Sequence, residues 1–199
     1  MKRRPMLNLP TIRIKPTPVD WNLRCRFTSP FEVESIITLL TDIRAQRVME
    51  IGCNEGRTSK VILENVPSIT EYFGVDVFQG YRFACSVQEG ETSDRPGKYA
   101  VGDPRFNLIV SERGSFDLDP VDFGGLLDAI FIDGDHSDLA VEHDSLLAFQ
   151  VVRSGGLVIW HDYHDLGKVG VKKVLEAHAK TGCDIKHVEG TWLAYRVMP

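Results

Sequence analysis

Acidic and imidazole side chains follow two apolar runs of the sequence, at the points where those runs end. Asp133 and His136 follow one run, and His161 and Asp162 follow the next. Because the carboxyl ends of neighbouring parallel strands meet at one edge of a sheet, the two carboxylates can converge with both rings in reach. Two carboxylates and an imidazole suit Mg²⁺ or Mn²⁺, and an imidazole can also accept a proton. The alternative is that these groups only hydrogen-bond one another.

Residues 48–56, Val-Met-Glu-Ile-Gly-Cys-Asn-Glu-Gly, combine a short apolar strand with a loop bounded by Gly52 and Gly56. Residues 57–64 then have the pattern of a helix. A strand, a tight glycine loop and a helix N-terminus bring backbone N–H groups up to a ligand, as in open α/β sheets that bind nucleotide-like cofactors. The alternative is a tight strand-to-helix turn with no ligand.

Asp76 ends the next apolar strand, 20 residues after Gly56, near the distance at which an acid meets ribose hydroxyls. A Walker loop is excluded, because no Gly-Lys-Ser/Thr follows the glycine loop. A dinucleotide fingerprint needs a third glycine, which is missing here. The sequence also shows no constellation for hydride transfer, so a nicotinamide cofactor is not favoured.

These groups require strands that share one edge of a sheet. Near-continuous apolar runs alternate with helical segments, which predicts a doubly wound, mostly parallel α/β sheet with both faces covered. The seven predicted strands are 48–51, 72–76, 106–110, 126–133, 157–160, 185–188 and 191–197. Glu189-Gly190, between the last two, predicts an antiparallel C-terminal hairpin.

Helix signals agree with this arrangement. Ser29-Pro30-Phe31-Glu32 has the pattern of a capping box, with Pro at the first helical position, and predicts a helix to about Arg44. A second helix is predicted over 137–151, with Leu139, Leu146 and Leu147 on its inner face.

The chain has 199 residues, 43% of them hydrophobic and 26% charged, as expected for one globular domain. No apolar run approaches the length of a membrane span. Four widely spaced cysteines without a Cys-x-x-Cys pair indicate free thiols in a reducing compartment. No secretory signal pattern opens the chain, so we predict a cytoplasmic protein.

The net charge of −5 hides a basic N-terminal arm. Residues 1–26 carry seven Lys or Arg and one acid, Asp20, and four prolines interrupt them. Such an arm is typical of a solvated extension, of a segment packed over its own acidic body, or of a contact with a neighbouring subunit. We therefore predict an arm over 1–28, a domain over 29–199 and a possible homo-oligomer, and we do not expect a nucleic-acid partner.

Three motifs together resemble a known family. Residues 50–56, 131–136 and 155–163 look like the group of class I S-adenosylmethionine (SAM) methyltransferases that includes macrolide sugar O-methyltransferases and cephalosporin hydroxylase-like proteins. More distantly, they are similar to catechol and caffeoyl-CoA O-methyltransferases. The resemblance covers about residues 30–197 and implies a Rossmann-like methyltransferase fold.

The resemblance also implies roles for individual residues. The methionine and ribose side of SAM would contact the glycine loop, Asp76 would bind the ribose hydroxyls, and Gly114-Ser115-Phe116 would border the adenine. The implied cofactor-binding residues are Glu50, Gly52, Cys53, Asn54, Gly56, Asp76, Ser115, Phe116 and Asp133. Ser115 departs from the family pattern, which more often has Asp there.

For the reaction centre, the resemblance implies Asp133 and Asp162 as ligands of Mg²⁺ or Mn²⁺ and His136 as general base, with Asp133 beside it. His161 occupies the position of an acidic ligand in the macrolide enzymes, and we predict it as the third ligand. Tyr163 stands where the catechol type has Asn.

The predicted activity is SAM-dependent methylation of a hydroxyl on a small molecule of sugar or phenol type. The sequence lacks the Asn/Asp-Pro-Pro-Tyr/Phe pattern associated with nitrogen acceptors, which favours oxygen. A competing hypothesis is a non-catalytic SAM-binding or scaffold protein whose basic arm contacts a partner. A concave site beside Asp133 and His136 would favour the enzyme. Residues 1–28 and 79–104, the least readable segments, are expected to shape the acceptor site.

Overall fold

The computed structural model describes residues 8–85, 88, 90–123, 125–166 and 169–199. Within these ranges, eight strands form one sheet: β1 Thr11–Ile12, β2 Arg47–Ile51, β3 Glu71–Val77, β4 Phe106–Ser111, β5 Leu127–Ile132, β6 Val152–Trp160, β7 Lys186–Val188 and β8 Ala194–Val197. The helices are α1 Pro30–Asp42, α2 Arg57–Asn65, α3 Asp138–Val151 and α4 Val171–Lys180.

The strand order across the sheet is β1-β7-β8-β6-β5-β2-β3-β4. Strand β8 runs antiparallel to both of its neighbours, β6 and β7, and the remaining pairs are parallel. The predicted doubly wound α/β class and the antiparallel C-terminal hairpin are therefore confirmed. Strand β1, which comes from the basic arm, adds a short eighth strand to the seven predicted ones.

Successive residues of the central strands supply two apolar cores, one on each face of the sheet. In β2, Val48 packs into the core with α1 and α2, and Met49 packs into the core with α3 and α4. In β5, Phe131 packs into the core with α1 and α2, and Ile132 packs into the core with α3 and α4. A strand that is buried on both faces has no polar side, which is why the sequence shows continuous apolar runs.

Helix α1 begins as predicted, with both hydrogen bonds of the capping box between Ser29 and Glu32. The predicted inner face of α3 is only partly right, because Leu139 and Leu146 are exposed. Leu147 is buried as predicted, but the buried face of α3 also carries the polar residues Asp144 and Ser145. Ser145 accepts a hydrogen bond from the indole of Trp160 at 3.0 Å, so polar pairing replaces part of the expected leucine packing.

The described part of the arm lies against the body of its own chain. Leu9 is buried, and its backbone N–H donates to the Tyr163 hydroxyl at 3.1 Å. The backbone N–H of Thr17 donates to Thr38 of α1 at 3.0 Å. The boundary at residue 28, oligomer formation through the arm and the lack of a nucleic-acid partner stay predictions. Among the described residues, no helix is long and apolar enough to cross a membrane.

The glycine loop after β2 touches the chain after β5 so closely that a side chain is excluded. Gly52 has a φ of +89°, and a Cβ placed on it would lie 2.1 Å from the carbonyl oxygen of Asp133. The backbone N–H of Gly52 donates to Val75 at 2.8 Å. This contact joins the ends of β2, β3 and β5.

We expect Gly52→Ala to destabilise the protein far more than Gly80→Ala. Gly80 has a similar φ of +92°, but a Cβ placed on it would have no neighbouring atom within 4 Å. Its substitution should cost only the backbone strain of about 1–2 kcal/mol. At Gly52 the clash with backbone atoms adds at least about 1–3 kcal/mol. Urea unfolding of both variants measures the difference, and equal losses would contradict the close contact.

Candidate active site

A cavity of about 440 Å³ opens outside the carboxyl ends of the central parallel strands. This is where open α/β sheets bind their ligands. Most of the predicted site residues line it: Gly52, Asn54, Asp76, Ser115, Phe116, Asp133, His136, His161 and Asp162. The glycine loop and the charged strand ends therefore face one shared space.

On one side of the cavity, Asp76 is tied to the glycine loop. Its carboxylate accepts hydrogen bonds from the backbone N–H groups of Asn54 and, at 2.7 Å, of Val77. Asn54 has a left-handed backbone with a φ of 47°, and its side-chain amide donates to the Glu91 carbonyl at 2.7 Å. Burial raises the pKa of Asp76 despite these bonds. The carboxylate is thus held at the wall by the loop itself.

Three predicted cofactor contacts do not line the cavity. The side chain of Glu50 lies inside the protein, 1% exposed, and accepts hydrogen bonds from the hydroxyls of Ser59 and of Tyr72, the latter at 2.8 Å. Burial raises the pKa of Glu50 to about 7. Cys53 is also buried, which raises the pKa of its thiol well above the usual value. Gly56 caps α2 with a φ of +77° against Gly97.

These three placements follow from local geometry. Residues alternate between the two faces of β2, so Glu50 points to the α2 face although it stands near the strand end. The Glu50 side chain therefore joins α2 to β3 inside the protein, and its contact with a cofactor stays a prediction.

At the opposite wall, a buried acid that the sequence analysis missed lies beside the predicted adenine contacts. The Ser115 hydroxyl donates to the Asp144 carboxylate. Phe116 stacks on His143, with ring centroids 4.0 Å apart and an interplanar angle of 13°. Burial raises the pKa of Asp144 to about 7. Asp144 lies on the buried face of α3, whereas the leucine spacing predicted a different face.

We call Asp133, His136 and Asp162 the reaction cluster. They follow the ends of β5 and β6, which are adjacent parallel strands. Ligand atoms of Asp133, His136 and Asp162 lie within 4.8 Å of one another. Nε2 of His136 is 3.5 Å from Asp133 and 3.3 Å from Asp162. Neither approach has hydrogen-bond geometry, so this buried nitrogen has no hydrogen-bond partner among the described residues. The predicted convergence of the two strand ends is present.

His161 lies beside both predicted carboxylate ligands and also faces a third acid. Its Nδ1 is 3.2 Å from Asp133 and 3.0 Å from Asp162, and its Nε2 is 3.4 Å from Glu32. The ring is 2% exposed and lies between three carboxylates. With both nitrogens directed at acids, the ring is placed to balance their charge. The role of His161 as a third metal ligand stays a prediction.

The charges of this cluster shift one another's ionisation. Burial alone would raise the pKa of Asp133, but the nearby rings of His161 and His136 outweigh it and lower that pKa. Burial would lower the pKa of His136, but Asp133 and then Asp162 raise it. Asp162 has a φ of 59°, and its other carboxylate oxygen is 3.0 Å from Nε2 of His164.

Gln88 fixes the loop that carries His136. Its side-chain amide donates to the Gly134 carbonyl at 2.7 Å, and its side-chain oxygen accepts from the His136 backbone N–H at 2.8 Å. Asp135 accepts hydrogen bonds from the backbone of Ala84 at 3.1 Å and from the Tyr81 hydroxyl at 3.3 Å. The described residues Tyr81, Ala84 and Gln88, which follow β3 in a stretch without readable periodicity, thus contact the loop that carries His136.

The family model of a methyltransferase domain matches residues 49–163, more than half of the chain. The chain belongs to this methyltransferase family. The matched range contains the glycine loop, Asp76 and both charged strand ends. The prediction of a SAM-dependent methyltransferase is thereby confirmed at the level of family and fold. No curated protein matches this methyltransferase in sequence.

Solved structures share the fold of this methyltransferase. Cofactor-bound Rv0187 from MTB has a TM-score of 0.63 at 17% identity, over 90% of this chain and 83% of that one. The O-methyltransferase from Bacillus cereus in complex with SAH has a TM-score of 0.60 at 14% identity, over 88% and 84%. The O-methyltransferase NovP has a TM-score of 0.63 at 12% identity, over 84% and 78%.

We expect Asp144→Asn to weaken the pH dependence of the methyltransferase's stability. The pKa of Asp144 is about 7 in the folded protein and about 3.9 in an unfolded chain. At a pH between these two pKa values, Asp144 keeps its proton in the folded state and has lost it in the unfolded state. Asp144 therefore makes stability fall as the pH rises. Urea unfolding at pH 5 and pH 8 should show a smaller fall in the variant, because Asn does not titrate.

Asp42→Asn, at the exposed end of α1, removes the same charge far from the cavity and should leave the pH dependence as it is. Glu50, whose pKa burial also raises, is present in the wild type and in both variants. Its contribution to the pH dependence is therefore the same in all three and does not affect the comparison. An unchanged fall in Asp144→Asn would show that Asp144 is already ionised at pH 5.

Proposed function

We propose that this methyltransferase transfers the methyl group of SAM to a hydroxyl oxygen of a small molecule bound beside His136. One observation carries the proposal: a single cavity is lined both by the glycine loop with Asp76 and by His136 between two carboxylates. The first set suits a nucleoside-bearing donor, and the second suits a hydroxyl that must lose a proton. The similar structures described as O-methyltransferases support the choice of oxygen.

In this proposal, the donor lies along the strand ends. Asp76 binds the ribose hydroxyls, because its carboxylate stands at the cavity wall 8% exposed. Ser115 and Phe116 border the adenine. The methionine part passes the backbone of Gly52, and the sulfonium methyl points to Asp133 and His136. Asn54 holds the loop in place through Asp76.

The reaction is an in-line displacement. A bond forms between the acceptor oxygen and the methyl carbon while the bond from that carbon to sulfur breaks, which leaves S-adenosylhomocysteine and a methyl ether. The acceptor's hydroxyl proton goes to Nε2 of His136. The protein's main contribution is to align the oxygen, carbon and sulfur atoms, and proton transfer adds to it. His136 can accept the proton only when it is neutral.

The reaction cluster also fits a divalent cation. Asp133 and Asp162 are the residues that would hold it, because two carboxylates are oxygen ligands suited to Mg²⁺ or Mn²⁺. Such an ion would lower the pKa of an acceptor hydroxyl. Nε2 of His136 lies in the same set of donors, and a nitrogen bound to a cation cannot accept a proton. We assign cation binding to the carboxylates and proton transfer to His136.

The non-catalytic alternative is not favoured by this site. A scaffold protein that only binds SAM has no need of a cavity that continues past the sulfonium position to an unpartnered imidazole nitrogen. The cavity beside Asp133 and His136 is open rather than filled by the protein's own side chains.

We expect the full chain to bind S-adenosylhomocysteine and not NAD⁺ in calorimetric titrations, and to transfer labelled methyl from SAM to hydroxylated small molecules. His136→Ala should lower kcat by about 10²–10⁴-fold, the usual share of a general base. Its affinity for S-adenosylhomocysteine should change little. Because Asp133 and Asp162 raise the pKa of His136, the wild-type rate should rise with pH through a limb above the ordinary histidine value, and His136→Ala should lack that limb.

His178→Gln, on α4 and outside the cavity lining, is the matched control and should keep the wild-type rate. Binding of NAD⁺ without S-adenosylhomocysteine would overturn the assigned donor. A wild-type rate in His136→Ala would remove the base from the mechanism.

We expect exhaustive treatment with EDTA to lower turnover and Mg²⁺ or Mn²⁺ to restore it. Asp162→Asn should cause a loss that added metal does not repair, with affinity for S-adenosylhomocysteine nearly intact, because Asp162 serves the acceptor side. Asn tolerates the left-handed backbone of this position, so the variant should keep the local fold.

Asp165→Asn, an exposed acid on the same loop that pairs with Lys172, is the control and should respond to EDTA as the wild type does. Turnover that survives exhaustive chelation unchanged would exclude the cation and leave His136 to act alone.

A further inference from the structure

A second cavity, of about 900 Å³, adjoins the first on the acceptor side. Phe27 and Trp192 line both cavities. Trp192 stacks at an angle on His164, with ring centroids 4.3 Å apart, and His164 is 3.0 Å from the Asp162 carboxylate. The second cavity therefore begins next to the reaction cluster. Its other wall is the segment just before α1, which belongs to the basic arm.

Three large aromatic side chains of this second cavity are exposed. Trp21 is 38%, Phe27 is 44% and Trp192 is 41% exposed. Folded proteins usually bury most of such surface, and aromatic faces that are left open at a cavity can stack on a flat or apolar ring. Phe27 and Trp192 stand at the junction of the two cavities. A ring bound between them would direct its hydroxyl into the first cavity, toward His136.

Two arginines stand in the same wall. Arg24 and Arg26 are exposed and flank the buried Cys25. Neither forms an ion pair with an acid in the part of the chain that the structure describes. The Arg24 carbonyl accepts a hydrogen bond from Arg57 at 3.3 Å, which anchors the backbone, and the Arg26 guanidinium lies over the Phe27 ring at 4.8 Å. The wall therefore offers two exposed cations on a fixed segment, and the charge of Arg26 also acts on Glu91 of the first cavity.

The first cavity has a more acidic wall, with Asp133, Asp162 and Glu91 among its acids and Arg113 as a cation. The second cavity has one acid among the described residues of its wall, Glu32, whose carboxylate is taken up by the Trp192 N–H and by His161. An acceptor that carried a negative group would be repelled by the acids of the first cavity and attracted by the two arginines. Guanidinium groups bind carboxylate and phosphate through charge-assisted, often paired hydrogen bonds. The separation of charge between the two cavities orients such a molecule with its hydroxyl toward His136.

We propose that the methyl acceptor is a hydroxylated ring compound that carries an anionic group, with the ring between Phe27 and Trp192 and the anion bound by Arg24 and Arg26. The inference rests on the proposed function, because it identifies the substrate class of the same site. Carboxylate and phosphate share the required chemistry, and the experiment separates them.

The test is calorimetric titration of the full chain, saturated with S-adenosylhomocysteine, with two pairs of probes. One pair is 3,4-dihydroxybenzoate and 3,4-dihydroxybenzamide, and the other is glucose 6-phosphate and glucose. The anionic member of at least one pair should bind about tenfold or more tightly than its neutral partner, as expected for a charge-assisted contact. The pair that shows the preference identifies carboxylate or phosphate.

The double variant Arg24→Gln/Arg26→Gln should abolish this preference while binding S-adenosylhomocysteine as the wild type does, which shows that it is folded. Lys15→Gln removes an exposed cation of the same arm that lines neither cavity, and it should keep the preference. Raised salt should weaken the anionic members selectively.

The outcomes separate the two proposals. Equal affinity within both pairs, no binding of any probe to protein that does bind S-adenosylhomocysteine, or a preference that survives in the double variant would each overturn the anionic acceptor and leave methyl transfer standing. Failure to bind S-adenosylhomocysteine at all would overturn the proposed function, and the acceptor class with it.

Discussion

A single buried imidazole joins the parts of the reaction centre. His161 has a ring nitrogen within 3.4 Å of each of three carboxylates, those of Glu32, Asp133 and Asp162. Burial opposes its charged form, yet the three acids raise its pKa well above the ordinary value. Three acids this close would otherwise repel one another at a high free-energy cost. The positive ring thus links the N-terminus of α1 to the ends of β5 and β6.

The proposed function divides the site into a donor half and an acceptor half, which come from different parts of the chain. The donor half is built from the loops after β2 and β3, which the contact between Gly52 and Asp133 fixes to the sheet. The acceptor half is built from the arm and from the turn that carries Trp192. Glu32 connects the halves, because its carboxylate accepts the Trp192 backbone N–H at 2.7 Å and also faces His161.

The fold and the charged strand ends could be predicted from the sequence, because buried strands are short apolar runs and parallel strands share an edge. The direction of Glu50 could not, since a strand that is apolar on both faces does not reveal which face a given residue takes. Asp144 is hidden in the apolar pattern of α3, where hydrophobic spacing favoured the exposed Leu139. Gln88 lies in a segment without periodicity, and its role depends on contacts between residues distant in sequence.

The pairing of β1 with β7 has a consequence for how the protein acquires its shape. Thr11 lies opposite His187, so this contact closes almost the whole chain into one loop. Contacts between residues so far apart in sequence carry the largest loop-closure entropy and tend to form after local ones. We expect the arm to dock last, onto a sheet that is already assembled. The same docking covers the open backbone groups of β7, and a chain halted before it would present a bare sheet edge to its neighbours and be prone to aggregate.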